Sequence, residues 1–267
     1  MLEKVDLTRQ LSKEDHHEQM KKLQERLRLL QHACLDAKVA TTIVLEGWDA
    51  AGKGSMVGVL VEKLDPRGFR VRATYAPLVD ELYRPWLWRF WMRLPAAGEI
   101  VVFDRSWYGR VLVERIEEVA TPEEVEAAFG EIDAFERNLA DDGQVLVKLF
   151  LHISRKEQKK RFKKAEGDPY ARWKIRPEDW RHHAQYDQIY QATEEMLERT
   201  STTHAPWSII EANDKRWAQV EAFRAIVDAV EGRLKKLGKL PPEGARGIVP
   251  AAPAPTAAKK SRLTVAP

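Results

Sequence analysis

Cysteine is almost absent from the 267-residue sequence, which contains only Cys34. A single cysteine excludes an internal disulfide framework and a cysteine metal cluster, and it fits the reducing cytoplasm. Long hydrophobic runs are absent too: the longest, such as 42–45 and 100–103, are far shorter than the roughly 20 residues of a membrane helix. The N-terminus is charged from Glu3 and lacks the apolar stretch of a secretory signal. We therefore expect a cytoplasmic protein without a membrane partner.

A large excess of one charge sign is also missing, because the net charge is only +3. The positive charge is nevertheless concentrated. Residues 155–181 carry eleven Lys or Arg against five Asp or Glu, a local balance of +6, so the rest of the chain sums to −3. No basic stripe with interleaved aromatic residues lies outside this segment, so we expect no nucleic-acid partner. The concentration of Lys and Arg at 155–181 indicates an anionic ligand other than nucleic acid.

Short apolar runs alternate with helical patterns along most of the chain. Strands are predicted at 39–46, 69–76, 99–104, 145–153 and 207–212. Helices fill most of the intervals between them, including roughly 107–115 and 122–140. This alternation is typical of parallel βαβ units. We therefore predict an α/β fold of three layers, with a central parallel sheet and helices on both faces.

Three regions are predicted along the chain. Residues 8–35 have the pattern of a polar amphipathic helix, either docked on the core or contacting another subunit, within an N-terminal helical extension of 1–38. The main domain is predicted at 39–239, with the basic segment inside it. The Pro-, Ala- and Gly-rich stretch 240–267 has few large apolar residues, which predicts a disordered tail.

A glycine-rich loop at 47–55 follows the first predicted strand and precedes a helix. Glycines let backbone N–H groups approach phosphate oxygens, and the helix N-terminus adds a positive dipole. The bare spacing G-x4-G-K is weakly specific, but its position between a buried strand and a helix predicts a phosphate-binding loop (P-loop). Lys53 is the expected cation at the transferring phosphates. The predicted phosphate-binding residues are Gly47, Ala50, Ala51, Gly52, Lys53, Gly54 and Ser55.

One position departs from the common P-loop pattern. Gly54 stands where most such loops have a Ser or Thr hydroxyl bound to magnesium. Ser55 is one substitute, but Asp49 inside the loop suits the role better. A magnesium ion between this carboxylate and the phosphates would offset their mutual repulsion. The alternative is that Asp49 only stabilises the loop or caps the helix.

The third predicted strand ends in Asp104, followed by Arg105. An acid at the carboxyl end of a buried parallel strand faces the ligand crevice, so Asp104 is predicted to hold magnesium directly or through water. Arg105 and Arg110 are predicted to bind phosphate oxygens through their guanidinium groups. A structural salt bridge between Asp104 and Arg105 is the competing interpretation.

The basic segment follows the fourth predicted strand and continues into a loop bounded by Gly167 and Pro177. A cationic stretch of this kind is typical of a mobile lid over phosphates. Arg172 and Lys174 are its predicted phosphate ligands. For Lys163 and the other lysines of 156–164, a solvated helix face is an equally good interpretation.

The aromatic residues of 83–94 and two adjacent histidines are interpreted as structural. The aromatic stripe within 83–94 is predicted to be helical and to form core or a subunit contact rather than a platform for stacking bases. His182 and His183 lack metal-ligand partners in the sequence and are expected at the surface.

Taken together, these motifs resemble the polyphosphate kinase 2 family over roughly residues 12–235. The combination is far more specific than any single motif. The matching segments are GWDAAGKG (47–54), LDPRGFRV (64–71), LWRFWMRLPAAGEI (87–100), FDRSWYGRVLVERIE (103–117), RWKIRPEDW (172–180) and TSTTHAPWSIIEANDKRWAQV (200–220).

The resemblance implies an activity beyond what spacing indicates. Members move the terminal phosphoryl group between inorganic polyphosphate and a nucleoside mono- or diphosphate, with magnesium or manganese. Their fold resembles thymidylate kinase, with a helical lid over a polyphosphate channel, and a homo-oligomer is expected. The sequence around Trp48 and at 107–110 is most similar to the polyphosphate:AMP phosphotransferase branch, whose members often carry two fused copies of the domain. This chain has one copy, so AMP and ADP both stay open as acceptors.

The resemblance also assigns roles. Asp49 and Lys53 match the family's Walker A aspartate and lysine, and Asp104 with Arg105 matches its Walker B pair. The lid cations match Arg172, Lys163 and Lys174, and the glycine at 54 is the family norm. Two rival functions stay open from the residues themselves: an ATP-dependent nucleoside or nucleotide monophosphate kinase, and a polyphosphate- or nucleotide-binding module without turnover.

Overall fold

The computed structural model of the protein describes residues 1–242. After a 3-10 turn at Leu2–Lys4, the elements follow a strict order. They are α1 (Lys13–Ala37), β1 (Thr41–Gly47), α2 (Lys53–Val61), β2 (Phe69–Ala73), α3 (Val79–Leu82), α4 (Trp88–Trp91), β3 (Ile100–Asp104), a 3-10 turn (Trp107–Arg110), α5 (Val113–Ile116), α6 (Pro122–Asp141), β4 (Val145–His152), α7 (Arg155–Glu166), a 3-10 turn (Arg172–Lys174), α8 (Pro177–Ala184), α9 (Tyr186–Thr200), β5 (Trp207–Glu211) and α10 (Lys215–Lys236).

The five strands form one parallel sheet in the order β2-β3-β1-β4-β5. Strand β1 lies at the centre, paired with β3 on one side and β4 on the other. The strand order changes direction at β1, because β2 and β3 lie on one side of it and β4 and β5 lie on the other. In α/β sheets of this kind, ligands bind outside the carboxyl ends of the strands at such a switch point.

Helices cover both faces of the sheet, as the alternating pattern predicts. Helices α1, α2 and α10 pack together on one face, whereas α6 and α9 pack on the other. All eight residues of β4 are buried, which is typical of a parallel strand covered on both sides. The predicted α/β fold with a central parallel sheet is confirmed.

Four helices, α1, α6, α7 and α10, begin where the sequence supplies a capping side chain. The hydroxyl of Ser12, Thr121 or Ser154, or the carboxylate of Asp214, accepts a hydrogen bond from the backbone N–H three residues further on. Such caps satisfy N–H groups that have no partner within the helix. Helix α1, predicted as an extension, contributes fully buried residues to the same core as the sheet.

Two predicted helices are shorter than the pattern indicates. The stripe within 83–94 forms only the single turn of α4. Pro85 separates this turn from α3, and proline lacks the N–H that a continuous helix needs. Phe90 is buried as predicted, whereas Tyr83 is 87% exposed. The helix predicted at 107–115 is a 3-10 turn followed by the single turn of α5.

The predicted tail, 240–267, lies outside the described residues from position 243 onward. Before that point, the carbonyl oxygens of Pro241 and Pro242 accept hydrogen bonds from Arg26 of α1. Within residues 1–242, no helix combines the length and the apolar character that crossing a membrane requires.

Candidate active site

The P-loop connects β1 to α2 through unusual backbone angles. Gly47 has a φ of 140°, and a Cβ there would lie 2.5 Å from the carbonyl oxygen of Leu151 on β4. Gly52 has a φ of 109°. Only glycine adopts such angles without strain, and only glycine fits against β4 at position 47. Ala50 also has a positive φ, 58°, which costs an L-residue about 1–2 kcal/mol.

Lys53 turns its side chain back into the loop. Its Nζ donates to the carbonyl oxygens of Gly47 at 2.6 Å and Trp48 at 3.0 Å. Burial lowers the pKa of Lys53, and the Arg105 guanidinium lowers it further. The carboxylates of Asp49, Glu46 and Asp104 oppose this shift. The lysine therefore lies within electrostatic reach of both predicted metal ligands.

Asp49 lies between two cationic side chains. Its Oδ1 accepts from Arg105 Nη2 at 2.6 Å, and its Oδ2 lies 2.9 Å from His182 Nδ1. Burial alone would raise the pKa of Asp49. The hydrogen bond to His182 and the charges of Lys53 and Arg105 outweigh burial and hold that pKa well below its usual value. Asp49 is thus ionised across the physiological range.

Asp104 ends β3 beside the P-loop, as its position in the sequence predicts. Asp104 pairs in register with Leu45 of β1, so the carboxyl end of β3 lies next to the start of the P-loop. The following residue, Arg105, has a left-handed φ of 62°. This conformation is held because Arg105 N donates to Leu45 O, and Thr74 Oγ1 donates to Arg105 O at 2.7 Å. The left-handed turn aims the guanidinium at Asp49.

Glu46, the penultimate residue of β1, is a site residue that the sequence analysis missed. It is buried, and its Oε1 accepts from both the N–H and the hydroxyl of Ser106 at 2.8 Å. Burial raises the pKa of Glu46, against the Ser106 hydrogen bond and the charges of Arg105 and Lys53. The hydrogen bonds tie the chain that follows Asp104 to the strand that precedes the P-loop.

The structure brings together most, but not all, of the predicted residues. Asp49, Lys53, Asp104 and Arg105 meet at the carboxyl ends of β1 and β3. Arg105 pairs with Asp49, so the competing salt bridge to Asp104 does not form.

Arg110 is placed differently from the prediction. Its Nη1 lies 3.3 Å from Glu114, and its guanidinium stacks on Trp86. The 3-10 turn that replaces the predicted helix directs Arg110 towards α5 and α6 instead of the P-loop. Its predicted role as a phosphate ligand therefore has no support from its contacts within residues 1–242.

The predicted lid contains two helices joined by an exposed turn. Helix α7 carries Lys163, and the 3-10 turn carries Arg172 and Lys174, all three with exposed side chains. Helix α8 then returns to the P-loop. The roles of these exposed cations as phosphate ligands stay predictions.

His182 of α8 contradicts its predicted place at the surface. Its side chain is 12% exposed, with one ring nitrogen on Asp49 and the other 2.8 Å from Glu117. The hydrogen bond to Asp49 raises the pKa of His182 in spite of burial. Arg181 also pairs with Glu117 at 3.0 Å. His183 is buried as well, with its Nδ1 2.7 Å from Gln158 of α7.

Trp48 fixes the start of the P-loop to the core. Its ring stacks on Tyr186 of α9, with centroids 4.2 Å apart. Its Nε1 donates to Nδ1 of His152, the last residue of β4, at 2.8 Å. His152 therefore acts as an acceptor and must be neutral there. Burial lowers the pKa of His152 to about 4.

This buried histidine predicts a pH dependence of folding stability. Because its folded pKa lies below the unfolded value of about 6.5, its contribution is complete above pH 6.5. The contribution is lost as the pH falls from about 6.5 to about 4, where only the unfolded state binds the proton. Between pH 7 and pH 4.5, we expect the free energy of unfolding to fall by about 2.4 kcal/mol more in the wild type than in His152→Gln, whose amide oxygen still accepts from Trp48. Urea unfolding at pH 7 and pH 4.5 measures this difference, and equal losses in the two proteins would contradict it.

The acidic residues allow only one mode of magnesium binding. Within residues 1–242, no group of three or more His, Cys, Asp or Glu side chains is arranged to hold a metal ion. Magnesium is commonly held by one or two carboxylates, substrate phosphates and water. Asp104 and Asp49 fit that mode, although both oxygens of Asp49 are bonded to Arg105 and His182.

A P-loop after the central strand, an acid at the end of the neighbouring parallel strand and a cationic lid define a P-loop kinase-like protein. The chain belongs to the polyphosphate kinase 2 family, which residues 10–238 match. The resemblance found in the sequence motifs is thereby confirmed.

Individual relatives agree with this membership. A polyphosphate:AMP phosphotransferase of Pseudomonas aeruginosa is 44% identical over 88% of this chain and 48% of the relative. A GDP-polyphosphate phosphotransferase of Mycolicibacterium smegmatis is 39% identical over 80% of this chain and 75% of the relative. The crystal structure of polyphosphate kinase 2 from Arthrobacter aurescens TC1 has a TM-score of 0.83 and 33% identity, over 87% of this chain and 85% of that chain. The chain spans about half the length of the polyphosphate:AMP phosphotransferases that it matches.

Proposed function

We propose that this chain transfers a terminal phosphoryl group between inorganic polyphosphate and a nucleotide, which converts AMP to ADP, ADP to ATP, or both. The observation that carries the proposal is the meeting of Lys53, Asp49, Arg105 and Asp104 at one edge of the sheet. Membership in the polyphosphate kinase 2 family supports polyphosphate as the donor. The names of the relatives support both nucleoside mono- and diphosphates as acceptors.

The side chains and backbone amides of the site have separate roles in an in-line transfer. The P-loop amides and Lys53 bind phosphate oxygens, and Arg105 holds the negative loop residue Asp49 in place. Arg172 neutralises charge that develops on the equatorial oxygens. The nucleotide's phosphate oxygen attacks the terminal phosphorus, and the shortened polyphosphate leaves. Because phosphoryl transfer needs little covalent help, positioning and electrostatics supply most of the rate.

Magnesium, or manganese, is proposed as the metal cofactor. When bound, it would neutralise charge on the phosphate oxygens. Asp104 would hold it, with Asp49 as a second ligand if that carboxylate exchanges Arg105 or His182 for the metal. The half-buried position of Asp104 at the end of β3 supports this assignment.

An endpoint assay tests the function. The chain is incubated with magnesium, long-chain polyphosphate and either AMP or ADP, without ATP, and the nucleotide products are resolved. A parallel mixture contains ATP and AMP without polyphosphate. We expect phosphorylated product in at least one mixture. Transfer only from ATP would instead identify a nucleotide monophosphate kinase, and binding without transfer would identify a binding module.

Two copies of the chain are proposed to associate through an apolar segment. Strand β2 is an edge of the sheet, and the exposed apolar side chains continue from it through α3 and α4. Apolar surface of this extent commonly marks a protein interface. Charges of both signs within the segment, such as Asp80 and Arg84, favour self-complementary pairing. The exposed residues are Val71, Tyr75, Leu78, Val79, Leu82, Tyr83, Trp91 and Met92.

Light scattering after size exclusion tests this association. We expect the wild type to be a dimer or larger, and Leu82→Glu with Tyr83→Glu to be a monomer. Val119→Glu, at an exposed valine outside the segment, is the control and is expected to stay associated. A monomeric wild type would refute the association. We further propose that the protein acts in the cytoplasm, which its single cysteine supports.

A further inference from the structure

Arg161 of α7 makes an unusual set of contacts with the P-loop. Its side chain is only 11% exposed, although it lies in the most basic segment of the chain. One of its terminal nitrogens, Nη1, donates to the carbonyl oxygens of Ala50 at 3.0 Å and Ala51 at 2.9 Å. The neighbouring Gln158 donates from Nε2 to the carbonyl oxygen of Asp49 at 3.3 Å. Three consecutive P-loop carbonyls are therefore held from outside by one helix.

These bonds determine where the P-loop amides point. In a trans peptide the N–H of one residue is directed opposite to the C=O of the residue before it. Because the carbonyls of residues 49–51 point towards α7, the N–H groups of 50–52 point away from it. The N–H of Ala51 donates to Trp48 O at 3.0 Å. The N–H groups of Ala50 and Gly52 are thereby directed towards the inner side of the loop, where a phosphate would bind.

The same bonds hold a strained residue. Ala50 has a φ of 58°, a left-handed conformation that alanine rarely adopts. Such a conformation persists only when its surroundings impose it. The hydrogen bond from Arg161 to the Ala50 carbonyl acts on that residue directly.

The guanidinium of Arg161 is fully used by these contacts. Its Nη2 donates to Ala212 O at 2.7 Å and Asn213 O at 3.0 Å, in the loop that follows β5. Its Nε donates to Glu157 at 2.9 Å. All five donors of an arginine thus have an acceptor, which leaves none for a phosphate oxygen. Arg161 joins two loops at the ligand edge of the sheet and does not itself bind substrate.

We infer that Arg161 is a positioning residue that, with Gln158, holds the P-loop in its phosphate-binding conformation before the ligand arrives. The inference rests on the proposed function for the identity of the ligand. A loop that samples other conformations binds more weakly in proportion to the lost population, while the bound complex reacts as before. Loss of Arg161 therefore raises the Kd and the KM and leaves kcat nearly unchanged.

The test compares Arg161→Lys with Arg137→Lys. Lysine keeps the charge but cannot supply the five fixed donors. Arg137 is the matched control, because it also forms an i,i+4 pair with an acid, Asp133, but lies exposed on α6. Calorimetric titration with inorganic tripolyphosphate measures the Kd, and steady-state assays separate KM from kcat. Hydrogen exchange of the peptides covering 47–55 measures loop order without any ligand.

For Arg161→Lys we expect at least a tenfold rise in the Kd for tripolyphosphate and in the KM for polyphosphate. We expect kcat to stay within about twofold of the wild type. Hydrogen exchange at 47–55 should be faster than in the wild type, whereas exchange in the strands should be unchanged. Binding and loop exchange equal to those of Arg137→Lys would overturn the inference, even if the melting temperature fell.

A second variant covers the case in which Arg161→Lys does not fold. Gln158→Met removes the hydrogen bond to the Asp49 carbonyl, together with the one to His183, and keeps a similar volume. It is expected to speed exchange at 47–55 and to raise the Kd about twofold to threefold, and no change in either would overturn the inference. A wild type that neither binds nor transfers phosphate would refute the proposed function. Loop exchange in ligand-free protein would still decide the role of Arg161.

Discussion

Arg172→Ala is expected to lower kcat for phosphoryl transfer about 1,000-fold while leaving the melting temperature almost unchanged. Arg172 begins the exposed 3-10 turn between α7 and α8. An exposed arginine contributes little to folding. A mobile arginine that reaches the transferring phosphoryl group lowers the barrier strongly, because it neutralises charge that is present only in the transition state. The effect should therefore fall on kcat more than on KM.

The control for this variant is Arg137→Ala on α6. Both arginines have exposed side chains, but Arg137 pairs with Asp133 away from the P-loop. Arg137→Ala is expected to keep near-normal rates. Lysine at position 172 should restore part of the rate, since it returns the charge without the planar donors. If Arg172→Ala retained kcat within about tenfold of the wild type, Arg172 would not act on the reacting phosphate.

The parts of the site that the sequence predicts best are local in the chain. The P-loop occupies nine consecutive residues, and the positive φ angles of Gly47 and Gly52 favour glycine at those two positions. Asp104 is predictable for a related reason, since the end of a buried parallel strand marks the ligand edge of the sheet. Glu46 was missed although it carried a signal: an acid inside a buried strand requires a partner.

The contacts that the sequence could not predict join residues far apart in the chain. His182 reaches Asp49 across 133 positions, and Arg161 reaches Ala50 of the P-loop across 111. Both depend on how α7 and α8 pack above the sheet, which hydrophobic spacing does not determine. Arg110 contacts Glu114 and not the P-loop for a local reason. The chain after β3 forms a 3-10 turn, and the change in helix type redirects its side chain towards Glu114.

Replacing Lys53 by methionine is the second large change, with an expected loss of about 100- to 1,000-fold in kcat. The Lys53 ammonium is buried and interacts electrostatically with the carboxylates of Asp49 and Asp104. Methionine has a similar length but no charge. The bound phosphates would then lie near those carboxylates without the positive charge of the loop lysine.

Folding should survive the substitution at Lys53. Placing the ammonium in this site costs desolvation, which its hydrogen bonds to Gly47 and Trp48 only partly offset. Lys63→Met, at an exposed lysine just beyond α2, is the matched control and should keep wild-type rates. Steady-state kinetics with polyphosphate and ADP or AMP, together with thermal melts, measure both effects. A Lys53→Met enzyme within about tenfold of the wild type would mean that the loop lysine does not contact the transferring phosphates, because no other P-loop side chain carries a positive charge.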